Sequence, residues 1–241
     1  PAWSEYLFTL DSWEHMLLQC VHFTHQSPFD IYKNQLSTAD DATLMSDGSI
    51  NHLQGTTVWV IAIGVICFVR GQCPVPGFDP RSYHAEGYGM LCGLLFLKHL
   101  CLYCGHINSM PLQKVYCDNL GLITKVNKLL QFRLAPTQAA LHSEYDVLAT
   151  IHFLLQAFPQ LPTISHVKGH QDNHVPYADL PLKAQLNVDA DAAAPLYQTD
   201  HGASRYIVPR ISGNGAQLSI AEKTVTYGYV KTIRNAYAHP R

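Results

Sequence analysis

Four acidic residues recur at places where a predicted strand ends or a predicted helix begins: Asp47, Glu86, Asp118 and Asp189. In mixed α/β sheets, strand ends and helix starts on one edge converge on a crevice where ligands bind. Four carboxylates in one crevice repel each other, and two divalent cations relieve that repulsion because hard oxygen ligands suit Mg²⁺. A metal pair also holds the attacking and leaving oxygens of a phosphodiester. The pattern therefore predicts a two-metal site for phosphate chemistry.

Each of these residues also has an ordinary structural explanation. Asp47 could cap a turn with the glycine that follows it, and Glu86 could complement a helix dipole. Asp118 and Asp189 could be helix N-caps, and His170 in "KGHQD" could be a loop histidine without a chemical role. For a single residue the structural explanation is the better one. Their shared order and element type favour the functional explanation for the set.

The elements that must position these residues begin at residue 42. Three β-branched runs separated by turn residues predict three strands: "ATLMSD", "GTTVWVIAIG" and "VICFVRG". Apolar residues at helical spacing over 82–104 predict a long, largely buried helix with Ser82 as its cap. The segment "LQKVYCD" is a fourth predicted strand that ends at Asp118, and "PTISHVKGH" is a fifth.

Three further helices complete the predicted order. They are expected over "NLGLITKVNKLLQF", over "SEYDVLATIHFLLQAF" with Ser143 as cap, and from about Val188 to Tyr197. The resulting order, βββαβααβα, predicts a mixed sheet with helices on its faces.

Composition and charge limit the classes of function. The chain has 241 residues, 47% of them hydrophobic, which is enough for one large core. Charged residues make up 14% and the net charge is −2, so the chain as a whole is not a basic nucleic-acid binder. The charge is uneven, with −5 over 1–41, −2 over 42–204 and +5 over 205–241.

Cysteine usage and hydropathy predict the compartment. Seven cysteines without regular spacing favour a reducing, intracellular location in the cytoplasm or nucleus. Cys101, Cys104 and His106 resemble half a zinc site, but buried thiols explain them better. The most apolar stretch, 57–69, is shorter than the roughly 20 residues of a membrane span and contains Gly64, so it predicts two strands and no membrane contact.

Five motifs occur in a specific order over residues 42–197: "SDGS", "SYHAEGYGML", "VYCDNLGLI", "HVKGHQD" and "NVDADAAA". In this order they resemble the ribonuclease H domain that follows reverse transcriptase in retrotransposon polyproteins. The resemblance implies a ribonuclease H-like fold, with a five-stranded mixed sheet whose first three strands are antiparallel. It also implies hydrolysis of the RNA strand of an RNA/DNA hybrid with two Mg²⁺ ions, for which Mn²⁺ can substitute.

The resemblance assigns roles to the acids and the histidine. Asp47 would bridge both metals, Glu86 and Asp118 would complete one metal site, and Asp189 would complete the other. His170 would relay a proton or help the product leave. We expect these five residues to be catalytic and the four acids among them to be the metal ligands.

Four further positions lie in or beside these motifs: Asp191, Ser49, Ser82 and Asn119. Asp191 is the poorer match to the final aspartate, because the family pattern places the acid before "xxA" and a two-residue step turns it to a different helix face. Ser49, Ser82 and Asn119 are expected to bind substrate. No basic helix follows "LLQFRLAP", which predicts weak hybrid binding by this chain alone.

The resemblance also implies a division of the chain. Residues 1–41 would tether the domain to an upstream polymerase region, 42–197 would form the ribonuclease H-like domain, and 198–241 would be a basic extension that adds affinity for nucleic acid. A chain that begins with Pro fits a piece of a longer polypeptide. Two alternatives stay open: a nuclease of the same fold with another substrate, as in integrases and exonucleases, and an inactive nucleic-acid-binding scaffold.

Overall fold

A computed structural model describes residues 2–21, 34, 41–51, 54–75, 81–106, 110–131, 144–201, 218–220, 223–225 and 229–238. The main sheet has five strands: β1 (Ala42–Asn51), β2 (Gln54–Ile63), β3 (Ile66–Pro74), β4 (Leu112–Cys117) and β5 (Thr163–His166). The helices in the described ranges up to residue 201 are α1 (Trp3–Leu7), α2 (Ser12–Gln19), α3 (Ser82–Cys104), α4 (Leu120–Leu130), α5 (Tyr145–Gln156) and α6 (Leu182–His201). The predicted order of elements is confirmed from β1 to α6.

The strands of the sheet lie in the order β3-β2-β1-β4-β5. The pairs β1/β2 and β2/β3 are antiparallel, whereas β1/β4 and β4/β5 are parallel. The apolar run at 57–69 is divided between β2 and β3, and Gly64 sits in the turn at φ 58°, where glycine carries no steric penalty. The ribonuclease H-like arrangement, a mixed sheet whose first three strands are antiparallel, is therefore confirmed.

One face of the sheet is covered by α3, which is apolar on nearly all sides. Leu44 and Trp59 from the sheet and Leu91 and Leu95 from the helix are fully buried in one cluster. By length and composition α3 could cross a membrane, but 78% of its most apolar window is buried inside the protein. A helix enclosed by a sheet on one side and by other helices on the others needs this composition.

The opposite face of the sheet is covered by α6. Leu186 and Ala190 of this helix pack against Met45, Val58 and Val60 of the sheet. This helix begins at Leu182 rather than near Val188, so its predicted start is wrong. In its first turn only Ala184 is buried, and the start signal is the preceding Pro181, whose carbonyl accepts from the amide of Ala184.

The described part of the predicted tether, residues 2–21, folds against the core. Leu17 and Leu18 of α2 are buried in the same cluster as α3. Tyr6 shares a hydrogen bond with His99 Nδ1 of α3 at 2.9 Å, and His99 Nε2 lies 3.3 Å from Glu14 Oε1. Two short helices, α1 and α2, therefore pack on α3 in this segment. Residues 22–33 and 35–40 lie outside the described residues.

Three more elements belong to the predicted basic extension. They are β6 (Leu218–Ile220) and β7 (Lys223–Val225), which pair antiparallel, and α7 (Tyr229–Ala238).

The structure describes one of the two serine caps that the sequence predicts. Arg81, not Ser82, is the residue before the first turn of α3, and Ser143 lies outside the described residues.

Candidate metal centre

Asp47 lies inside β1, not at its end as predicted. The strand continues to Asn51 because its hairpin with β2 extends that far. The parallel ladder with β4 stops earlier, at the pair Ser46 and Cys117. Asp47 and Asp118 therefore follow the last paired residues of adjacent parallel strands. Carboxyl ends of parallel strands are where ligands bind in such sheets.

A glycine brings α3 against this position. A Cβ added to Gly48 would lie 2.5 Å from the backbone carbon of Ala85 and 2.6 Å from the amide nitrogen of Glu86. Only a residue without a side chain allows helix and strand backbones to approach so closely. The glycine of "SDGS" thus sets the distance between Asp47 and Glu86.

Glu86 is held by two hydrogen bonds. Ser82 Oγ donates to Glu86 Oε1 at 3.1 Å, and the thiol of Cys117 donates to Glu86 Oε2 at 2.9 Å. Burial raises the pKa of Cys117 well above its usual value, so the sulfur keeps its proton and stays a donor. Ligand atoms of Glu86, Cys117 and Asp118 all lie within 4.8 Å of one another.

The acids in this cluster resist ionisation. Burial, and then the charge of Asp118, raises the pKa of Glu86 to about 9. Burial followed by Asp118 likewise raises the pKa of Asp47 to about 7, against the opposing hydrogen bond from the Gly48 amide. Both shifts arise because the carboxyls are buried and lie close to other negative charges.

These residues fit a divalent cation. Asp118 Oδ1 is buried and accepts no hydrogen bond from any residue that the structure describes. A buried carboxylate oxygen without a donor is costly unless a cation or water approaches it. The donor set is mostly carboxylate oxygen, which suits Mg²⁺ or Mn²⁺.

Asp189 and Asp191 lie on opposite flanks of α6. Asp189 pairs with Arg70 on β3 at 3.0 Å and accepts from the hydroxyl of Tyr177. Asp191 Oδ2 lies 2.8 Å from Nδ1 of His170. Burial raises the pKa of Asp191, His170 lowers it and Asp118 raises it further.

The structure brings Asp191 beside Asp47 and Asp118, whereas the Asp189 carboxylate lies with Arg70 and Tyr177. A two-residue step turns an α-helix by about 200°, so only one of the two aspartates can face Asp47. The motif match favoured Asp189 because the family pattern places the acid before "xxA", but the rotation of α6 on the sheet decides which aspartate faces Asp47.

His170 is brought to the cluster by a tight loop. The residue has a left-handed backbone (φ 51°), and its side chain is 68% exposed. A Cβ added to the preceding residue, Gly169, would lie 2.8 Å from Asp118 Oδ2, so the loop backbone passes directly beside that carboxylate. The imidazole therefore lies at the solvent edge of the acidic cluster, paired with Asp191.

The residues predicted to bind substrate lie around the same edge. Ser49 is half-buried on β1, two residues after Asp47. Ser82 donates to Glu86, and Asn119 Oδ1 accepts from the amide of Leu122 as the N-cap of α4. Ser82 and Asn119 thus support the local structure, and contact with substrate stays a prediction for all three.

Comparison with known proteins gives no match to a family model and no match among curated proteins. Solved structures with similar folds include the RNase H1 of the halophilic archaeon Halobacterium salinarum, at 17% identity and a TM-score of 0.44, covering 66% of this chain and 98% of that one. The LC11-RNase H1 in complex with an RNA/DNA hybrid matches at 12% identity and a TM-score of 0.44, covering 64% of this chain and 94% of that one.

The N-terminal RNase H domain of rv2228c from Mycobacterium tuberculosis, solved as a fusion with maltose binding protein, has 13% identity and a TM-score of 0.40, covering 66% of this chain and 98% of that one. These similarities are low both in sequence and in superposition. The function proposed below rests on the chain's own residues.

The raised pKa of Asp47 predicts how stability depends on pH without metal. A carboxyl whose pKa rises from 3.8 to about 7 on folding stabilises the fold fully below about pH 4, and this contribution is lost as pH rises through about 7. In EDTA we expect the melting temperature to fall between pH 5 and pH 8, and to fall less in Asp47→Asn. An equal fall in both proteins would contradict the shift.

Proposed function

We propose that this chain is a metal-dependent endonuclease that hydrolyses the RNA strand of RNA/DNA hybrids, as part of a retroelement reverse transcriptase. The observation that carries the proposal is the meeting of Asp47, Glu86, Asp118 and Asp191 at the carboxyl end of β4. The strand order β3-β2-β1-β4-β5 and the five sequence motifs support it.

The four carboxylates are the groups that would hold two ions. Asp47 is central, because its carboxyl interacts with both Asp118 and Asp191. Glu86 and Asp118 would complete one site and Asp191 the other. When bound, Mg²⁺ or Mn²⁺ supplies the positive charge that stabilises the negative charge developing at the scissile phosphate.

The remaining residues orient and assist. Ser82 and Cys117 fix both oxygens of Glu86, so that this carboxylate keeps one orientation. His170, paired with Asp191 and open to solvent, can accept or return a proton as the product leaves. The 2′-hydroxyl and the minor-groove shape of the hybrid would distinguish RNA from DNA.

The direct test is cleavage of end-labelled substrates by the purified chain with Mg²⁺ or Mn²⁺. We expect cuts in the RNA strand of the hybrid and none in duplex DNA or single-stranded RNA. Cleavage of duplex DNA would favour another nuclease of this fold. Failure to cleave together with failure to bind metal would favour an inactive scaffold.

The cellular setting is part of the same proposal. All seven cysteines lie in the described part of the chain and none forms a disulfide, which supports a reducing, intracellular compartment. Covalent linkage to a reverse transcriptase is supported by the resemblance of the motifs alone. Isolation of the polypeptide from its source, followed by mass spectrometry of its peptides, would establish the linkage.

The corrected fourth acid gives a paired prediction. We expect Asp191→Asn to reduce single-turnover cleavage by about 10²-fold or more, because it removes a charge that faces Asp47. Asp189→Asn is expected to retain activity within about tenfold, since its carboxylate pairs with Arg70 instead. The reverse ranking would restore Asp189 as the ligand.

A second prediction concerns His170. His170→Ala should slow turnover by about 10²-fold or less and leave metal affinity nearly unchanged, because the imidazole is exposed and pairs with Asp191 only at the edge of the cluster. Calorimetric metal titration and single-turnover cleavage separate the two effects. A loss of Mg²⁺ affinity as large as that of Asp118→Asn would make His170 a metal ligand.

A further inference from the structure

Arg70, Asp189 and Tyr177 form a polar contact on the side of α6 that faces away from the candidate metal centre. Arg70 Nη2 donates to Asp189 Oδ2 at 3.0 Å, and the hydroxyl of Tyr177 lies 3.2 Å from each Asp189 oxygen. Arg70 Nε also donates to Cys67 Sγ at 3.5 Å. The Arg70 and Asp189 side chains are only 26% and 19% exposed, so solvent screens this pair incompletely.

This contact is coupled to the metal centre through the rotation of α6. Arg70 is on β3, at one edge of the sheet, whereas Asp191 faces Asp47 on the central strand. The residue between the two aspartates, Ala190, is fully buried on the sheet. A rotation of the helix that carries Asp189 away from Arg70 must also move Asp191 relative to Asp47.

Apolar packing alone resists such a rotation weakly. The buried face of α6 consists mainly of small side chains, including Ala184, Ala190 and Ala194, and contacts between smooth apolar surfaces are non-directional. The amide of Asn187, also buried on this face, has no hydrogen-bond partner among the described residues. An ion pair with a defined geometry supplies the directional restraint that this face does not.

The loop that carries His170 is attached to the same contact. After β5 the chain passes His170 against Asp191, then Tyr177 against Asp189, and enters α6 at Leu182. Gln185 Nε2 of α6 donates to the carbonyl of Tyr177 at 3.0 Å. The loop is therefore held on both flanks of the helix.

We propose that Arg70, Asp189 and Tyr177 are positioning residues, a clasp that fixes the rotation of α6 and anchors the His170 loop so that Asp191 and His170 face the metal centre. The inference rests on the proposed function. It gives Asp189 a role that differs from metal ligation and assigns one to Arg70, which the sequence motifs do not include.

The test compares three variants in the full chain. Arg70→Met removes the ion pair and is expected to weaken Mn²⁺ affinity about fivefold in calorimetry, the size expected from a partly exposed ion pair. Arg70→Lys keeps a cation within reach of Asp189 and should restore affinity to within about twofold. Tyr177→Phe removes only the loop contact and should slow single-turnover cleavage about threefold without changing Mn²⁺ affinity.

A matched control separates positioning from general loss of stability. Lys98 pairs with Glu14 at 3.7 Å, with similarly limited exposure, on helices α3 and α2. Lys98→Met should lower the melting temperature about as much as Arg70→Met while leaving Mn²⁺ affinity unchanged. Equal effects of Lys98→Met and Arg70→Met on Mn²⁺ affinity would overturn the inference.

The outcomes also distinguish this inference from the proposed function. If the parent chain binds no Mn²⁺, the proposed function fails. If the parent binds Mn²⁺ and cleaves the hybrid, but Arg70→Met does both equally well, only the clasp is wrong.

Discussion

Replacing Asp47 with asparagine is expected to reduce hybrid cleavage by about 10³-fold while leaving the fold intact. The side chain keeps its size but loses the charge that would attract both ions. The parent carboxyl is buried close to other negative charges, and a neutral asparagine removes both the cost of burying a charge and the repulsion. The variant should therefore melt at a higher temperature than the parent in EDTA at pH 8.

Single-turnover cleavage and thermal melting with and without Mg²⁺ measure both effects. Asp41→Asn is the matched control, because Asp41 is exposed just before the same strand. It should change neither rate nor melting temperature. Cleavage by Asp47→Asn at the parental rate would contradict the assignment of the metal centre.

Of the substitutions described, Gly48→Ala is expected to lower the free energy of unfolding the most. The new methyl group would meet backbone atoms of Ala85 and Glu86 at about 2.5 Å, and backbone atoms cannot rotate away as a flexible side chain can. Either α3 separates from β1 or the strand bends. We expect destabilisation of about 3 kcal/mol, at the upper end for overpacking, and loss of measurable Mg²⁺ affinity as Glu86 moves from Asp47.

Chemical denaturation measures the free energy of unfolding, and calorimetry measures metal affinity. Gly121→Ala is a suitable control, since its added methyl group would meet the Asn119 side-chain oxygen at 3.2 Å as its nearest neighbour. It should change stability by less than about 1 kcal/mol. If Gly48→Ala were as stable as the control, close approach of helix and strand would not be what positions Glu86.

The sheet could be predicted from sequence because its signals are local. Alternating β-branched runs, a turn glycine at Gly64 and helical spacing over 82–104 each depend on neighbouring residues, and all three agree with the structure. Asp118 was placed correctly for the same reason, at the end of a short strand. The packing of α1 and α2 on α3 involves residues about 85 or more positions apart, such as Glu14 and His99. No local sequence pattern therefore predicts this packing.

The candidate site depends on contacts between distant parts of the chain, which local sequence patterns do not predict. Choosing between Asp189 and Asp191 required the rotation of α6, which depends on which side chains it buries and on Arg70, 119 residues away from Asp189. Cys117 was missed as a partner of Glu86 because buried cysteines usually serve as small apolar residues. The signal that could have found it is its position, because Cys117 directly precedes the predicted site residue Asp118 and its thiol can donate a hydrogen bond.

The order in which the acids occur along the chain has a consequence for how the protein acquires its final state. Strands β1 to β3 are contiguous and pair through short connections, whereas β4 follows the long α3 crossover, and α6 comes last among the elements that carry the acids. Asp47 is thus in a part of the sheet built from neighbouring segments, whereas Asp191 reaches it only through a contact between distant parts of the chain. The four carboxylates therefore come together only when α6 is docked on the sheet, and binding of a cation would report that docking.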